Sequence, residues 1–107
     1  MPRRKPALAT AIALAAVVAA AGSGVRAADA ELGAHLAAQC VTCHRPTGAA
    51  AGIPSIHGRQ AENFIAAMNA YRSKQRENQV MRGIAASLSD EEIAALAAYF
   101  STLPNNR

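Results

Sequence analysis

Five consecutive residues, Cys40-Val41-Thr42-Cys43-His44, constrain this chain more than anything else in it. Its two cysteines both lie here, three positions apart, and a histidine follows the second directly. On a helical turn, positions i, i+3 and i+4 share one face. Both thiols and the imidazole then point the same way. Two thiols at that spacing can each add across one of the two vinyl groups of a single porphyrin, while the neighbouring imidazole comes under the iron. C-x-x-C-H is for this reason the attachment signature of c-type haem. The spacing predicts one haem c, attached through Cys40 and Cys43, with His44 as an iron ligand.

Three other uses of the motif fit the rest of the chain less well. A thioredoxin-like redox pair needs a βαβ context, and no alternating strand pattern is present. A structural zinc site needs four ligands, usually two pairs; beyond the motif only His35 and His57 remain. A disulfide from Cys40 to Cys43 would close too small a loop to stabilise much.

The charge is unevenly spread. Residues 1–27 carry Arg3, Arg4, Lys5 and Arg26 and no acid, whereas residues 28–107 balance seven bases against seven acids. The net charge of +4 therefore comes from the N-terminus, and no basic patch argues for a nucleic-acid partner. The N-terminus itself reads as an export signal: a basic start, an apolar run over residues 7–21, and Val25-Arg26-Ala27 as a small-x-small cleavage site. Fifteen helical residues at ~1.5 Å span roughly 22 Å, short of a hydrocarbon core of ~30 Å. The expectation is a signal peptide over 1–27, cleavage near Ala27, a periplasmic location and no stable membrane insertion afterwards. One domain, 28–107, remains. It has no Trp and only four aromatic residues, Phe64, Tyr71, Tyr99 and Phe100. A core this poor in large side chains rarely supplies more than ~3–5 kcal/mol at such a size, so something else has to complete it.

The pattern predicts an all-α domain with three main helices. The first covers residues 30–43, capped by Asp29, with Leu32, Leu36 and Cys40 as its stripe. The second covers residues 60–74, with the stripe Phe64, Met68 and Tyr71. The third starts at the capping box Ser89-Asp90-Glu91-Glu92, buries Ile93, Leu96, Ala97 and Phe100, and stops before Pro104. Leu88 and Ile93 are placed as a hydrophobic staple. Two long loops, 45–58 and 73–87, lie between, and loops of that length in a small domain need something to wrap around.

A sixth iron ligand is expected from a methionine, the donor that raises the potential in cytochromes. Met68 falls in the apolar stripe of the second helix and reads as core. Met81 falls in the second loop, which is free to close over a haem face, and is the preferred ligand. His57 would make a bis-histidine site instead, while His35 reads as an ordinary helix residue. The imidazole N–H of His44 needs a backbone carbonyl to fix its tautomer, and Pro54 is the candidate. Arg59 and Arg82 are candidates for pairing with haem propionates.

The blocks around these residues resemble those of class I cytochromes c. Residues 33–44 are similar to the family's first helix running into its haem motif. Gly52-Ile53-Pro54-Ser55-Ile56-His57-Gly58-Arg59 resembles the loop whose proline carbonyl meets the proximal histidine. Asn78-Gln79-Val80-Met81 resembles the Asn-Pro-Val-Met ligand loop, and residues 88–100 the closing helix, which would pack across the first. Within the class the similarity is strongest to cytochrome c4-type domains and to the cytochrome subunit of flavocytochrome c sulfide dehydrogenase. Gln79, Arg45 and His57 depart from the usual residues at their positions.

The resemblance implies a small class I fold, its loops wrapped around one haem, that transfers electrons and is not itself an enzyme. The implied partners are redox proteins, foremost a flavoprotein that oxidises sulfide. A free soluble carrier is the alternative. A five-coordinate haem that binds a small ligand or reacts with peroxide would require that Met81 not ligate. The uncharged run over residues 48–54 leans toward an enzyme subunit.

Overall fold

The computed structural model describes residues 2–4, 21–48 and 52–105. Residues 7–20 of the expected signal segment's apolar run and residues 49–51 of the uncharged loop lie outside them. Four α-helices follow one another: α1 (Ala21–Leu36), α2 (Ala61–Arg72), α3 (Gln79–Ala86) and α4 (Asp90–Ser101). A single 3-10 turn, Ala37–Gln39, extends α1. No strand occurs among the described residues.

The all-α class is as expected, and among the described residues a short fourth helix, α3, joins the three main ones. The segment around Met81 is a helix and not a loop. Asn78 caps it, its side-chain oxygen accepting the Met81 N–H at 3.0 Å, so an orphan amide of the first turn is satisfied. The first helix also differs. It begins before Asp29, which is therefore interior, and it passes through Ala27. It tightens at Ala37, short of the motif. Its buried face is Gly33 and Ala37, whereas Leu32 is 40 % exposed. Small residues four apart let α1 approach α4 backbone to backbone, which a leucine stripe would prevent.

The closing helix forms as its sequence dictates. Ser89 Oγ accepts the Glu92 N–H at 3.1 Å, and Glu92 Oε1 accepts the Ser89 N–H at 2.9 Å. Leu88 and Ile93, on either side of this box, are both buried. Phe100, Ile93 and Leu96, the largest fully buried side chains, all come from α4. Phe64 of α2 stacks on Phe100 at 5.7 Å between ring centroids, and Tyr99 meets the same ring edge-on at 5.3 Å. α4 thus packs against α1 on one side and α2 on another. Arg72 links the end of α2 to the start of α4, donating to Asp90 and, at 3.0 Å, to the Leu88 carbonyl.

Candidate haem-binding site

The motif follows the 3-10 turn as one more turn of helix. The N–H groups of Cys43 and His44 both donate to the Cys40 carbonyl, at 3.2 and 2.8 Å. Thr42 Oγ1 donates to the Gln39 carbonyl at 3.1 Å. This winding gives Cys40, Cys43 and His44 the common face that their spacing requires. All three border one cavity of about 390 Å³, within the range of small-molecule and cofactor sites, ~300–1,000 Å³. Cys43 is exposed, whereas Cys40 is partly buried, and burial raises its thiol pKa.

The loop that follows supplies the proximal wall. His44 Nδ1–H donates to the Pro54 carbonyl at 2.8 Å. With Nδ1 so occupied, Nε2 is the nitrogen left for a metal. Ser55 holds this loop shut. It is buried, and its hydroxyl donates to the Pro46 carbonyl at 2.6 Å. Gly48 and Gly52, at φ of 73° and 85°, make the left-handed turns that other residues rarely adopt.

The other walls come from α2 and α3. Phe64, Ala67, Met68 and Tyr71 line the cavity from α2, and Val80, Met81 and Ile84 from α3. Met81 is half-buried in the first turn of α3; Met68 is 6 % exposed and belongs to the core. Polar groups at the border are Gln39, Arg59, Arg76 and Asn78. Arg76 lies 4.7 Å over the Tyr71 ring, a cation–π contact.

Two expectations change here. His57 does not border the cavity. Its ring packs at 5.9 Å on Phe100, on the core side of the loop, which removes the bis-histidine arrangement. Arg82 also lies off the cavity, committed to carbonyls of the preceding loop. Arg76 takes its place beside Arg59 at the border. The sequence hid this exchange, because Arg76 sits in a polar run and only the turn after α2 brings it over Tyr71.

The residues fit haem c. Two thiols sit one turn apart, an imidazole has Nδ1 already bonded and Nε2 left, and a thioether and apolar walls border the same space. Comparison with known proteins agrees. A family model described as Cytochrome C oxidase, cbb3-type, subunit III matches residues 27–100. The chain belongs to this family of cytochrome c domains. Cytochrome c4 of Stutzerimonas stutzeri is 35% identical over 71 residues, which are 60% of this chain and 34% of that protein. The thiosulfate dehydrogenase electron acceptor of Stutzerimonas stutzeri (strain A1501) is 37% identical over 70 residues, 61% of this chain and 32% of that protein. Cytochrome c-554(548) of Halomonas halodenitrificans is 36% identical over 81 residues, 71% of this chain and 98% of that protein. The chain spans about a third of the length of the first two relatives. A cytochrome c domain carries haem c covalently, and its work is electron transfer.

Proposed function

We propose that the domain is an exported, single-haem electron-transfer protein with His44 and Met81 as iron ligands. The observation that carries this reading is the shared cavity. His44, oriented by the Pro54 carbonyl, and Met81, held by the Asn78 cap, border the same space as both cysteines. Haem held there by Cys40, Cys43, His44 and Met81 would supply one-electron exchange between ferric and ferrous iron. The chain's own residues do the remainder. Cys40 and Cys43 fix the group by adding their S–H bonds across its vinyl groups. The Pro54 carbonyl keeps the imidazole in one tautomer and raises its basicity as a ligand. Phe64, Met68 and Ile84 exclude water, and Arg59 and Arg76 offer positive charge at the border.

Export follows from the basic and apolar order of residues 1–27, removed near Ala27, and places the domain in the periplasm. Among the described residues no helix is long and apolar enough to cross a membrane. The partner is a dehydrogenase that oxidises an inorganic sulfur compound. Two relatives are thiosulfate dehydrogenase electron acceptors, and the sequence also resembles the cytochrome subunit of a flavoprotein sulfide dehydrogenase. A second reading, a free carrier, is favoured by the match across 98% of cytochrome c-554(548).

The test of the ligand set is the ferric absorption spectrum of the matured protein and of Met81→Ala. A weak long-wavelength sulfur-to-iron band in the wild type, lost in the variant, is the expected result. A high-spin wild-type spectrum would move the five-coordinate, ligand-binding reading to the front. Co-purification with a flavoprotein, or elution as a monomer, separates subunit from carrier.

A further inference from the structure

Arg82 follows Met81 directly, yet its side chain leaves the cavity and reaches back across the turn between α2 and α3. Nε donates to the Arg76 carbonyl at 2.8 Å, and one Nη donates to the Lys74 carbonyl at 2.8 Å and to the Glu77 carboxylate at 3.0 Å. The Arg82 side chain is 27 % exposed, against 92 % for that of Glu77. Two of the three bonds go to backbone carbonyls of the turn, and a bond from a charged donor to a carbonyl is stronger than a neutral one.

The turn that Arg82 grips is the rim of the cavity. It leaves α2 through a Schellman closure, with the Gln75 N–H on the Ala70 carbonyl at 2.8 Å and the Lys74 N–H on the Tyr71 carbonyl at 3.1 Å. Lys74 occupies the left-handed position of that motif at φ 64°, where glycine is usual. The turn then passes through Arg76, which lies over Tyr71, to Asn78, which caps α3 and holds the Met81 amide. Arg82 closes this path into a ring. Its backbone N–H donates to the Asn78 carbonyl at 2.9 Å, and its guanidinium holds the strained start of the turn. The first turn of α3 is thereby fixed relative to the end of α2, and Met81 sits on that turn.

We propose that Arg82 is a positioning residue for the sixth ligand. By holding the Lys74 and Arg76 carbonyls, it keeps the first turn of α3 closed on the cavity, so that the Met81 sulfur stays on the iron. A thioether is a neutral, weak acceptor and relies on its backbone for placement. The inference rests on His44/Met81 ligation.

The experiment uses ferric protein with haem attached and imidazole as the competing probe. Its binding is followed by stopped-flow absorbance, and far-UV circular dichroism reports helix in parallel. Arg82→Ala is expected to bind imidazole faster by about tenfold or more, since all three guanidinium bonds, two of them to carbonyls of the turn, are lost. It should also lose the sulfur-to-iron band on heating well before helix melts. Glu77→Gln, which removes only the carboxylate charge from the cluster, should remain within a few-fold of wild type. Arg82→Lys, with one donor group in place of the fork, should fall between. If Arg82→Ala does not fold, the lysine variant carries the test. Wild-type imidazole kinetics in the variant that folds, or loss of band and helix together as in the wild type, would overturn the proposal alone. A wild-type protein without the band would overturn the ligand set, and the role of Arg82 with it.

Discussion

Gly33 sits inside α1, where a glycine costs ~0.5–1 kcal/mol relative to alanine. On an open helix face Gly33→Ala would therefore stabilise the protein. Here the sign reverses. A Cβ at Gly33 would stand 2.7 Å from the Tyr99 Cβ and 2.8 Å from the carbonyl carbon of Ala95, and closer still to its oxygen. Carbon atoms pack best at ~3.5–4.0 Å, so α1 and α4 would have to part by about 1 Å. The obstacle is largely backbone, not a flexible side-chain tip that could swing aside. Ala95, Leu96 and Phe100, which lie at this part of α4, are all fully buried, so parting the helices loosens the best-packed region of the domain. Overpacking a core costs typically ~1–3 kcal/mol. The upper end applies against backbone, and ~1 kcal/mol of helix propensity returns, leaving a loss of about 2 kcal/mol. For a domain of this size each kcal/mol moves Tm by ~4–8 °C. A thermal melt of the haem-loaded protein, followed by far-UV circular dichroism, should show Gly33→Ala about 10 °C below wild type. Gly83→Ala is the matched control. Gly83 lies in α3 with nothing within 4 Å of its added Cβ, so the same change there should leave Tm unchanged or raise it. Equal or higher stability in Gly33→Ala would refute the close crossing of α1 and α4.

Two further substitutions probe the cavity walls and the turn beside them. Met68→Ala empties a buried position in α2 and should cost ~2–5 kcal/mol, yet leave the ferric sulfur-to-iron band in place; loss of the band would make Met68 the ligand. Lys74→Gly relieves a left-handed residue at φ 64°, worth ~1–2 kcal/mol, against ~0.4–1 kcal/mol of added unfolded-state entropy. A rise in Tm of a few degrees is expected, and a clear fall would show that the Lys74 side chain holds the turn.

Where the local chemistry was strong, the sequence already carried the structure. The box at Ser89 and Glu92 marks the start of α4 because two side chains satisfy two amides by themselves, without help from the rest of the fold. The C-x-x-C-H spacing likewise places three ligating groups on one face through helical geometry alone. The reach from His44 to Pro54 was legible because an imidazole N–H needs an acceptor, and the carbonyl of the loop proline was the candidate. The failures were tertiary. Of the stripe Leu32, Leu36 and Cys40, the last two pack against the core, but Leu32 is exposed and the closest approach to α4 is at Gly33, since close approach of two backbones rewards the absence of side chain. The helix over 79–86 is hidden in sequence by the polar run that opens 73–87; the Asn78 cap and the burial of Ala85 go with it. Arg76 and Arg82 cannot be told apart in sequence. One turns toward the cavity and the other away only because α2 ends in a left-handed residue.

The cavity and the core share their walls, and this ties stability to electron transfer. Phe64, Met68 and Ile56 belong to the buried cluster and also border the space beside His44 and Met81. Much of the remaining interior is alanine: Ala37, Ala85, Ala95 and Ala97. A group bound in this space would pack against side chains that also form the core. The side chains that it packs against also set the dielectric around it. Low polarity at Phe64, Met68 and Ile84 would disfavour the more highly charged oxidised form of a haem held there, in the same direction as the proposed Met81 ligand. A substitution in these walls thus acts on folding and on potential through one contact surface, and the two effects should move together along any series that makes the walls more polar.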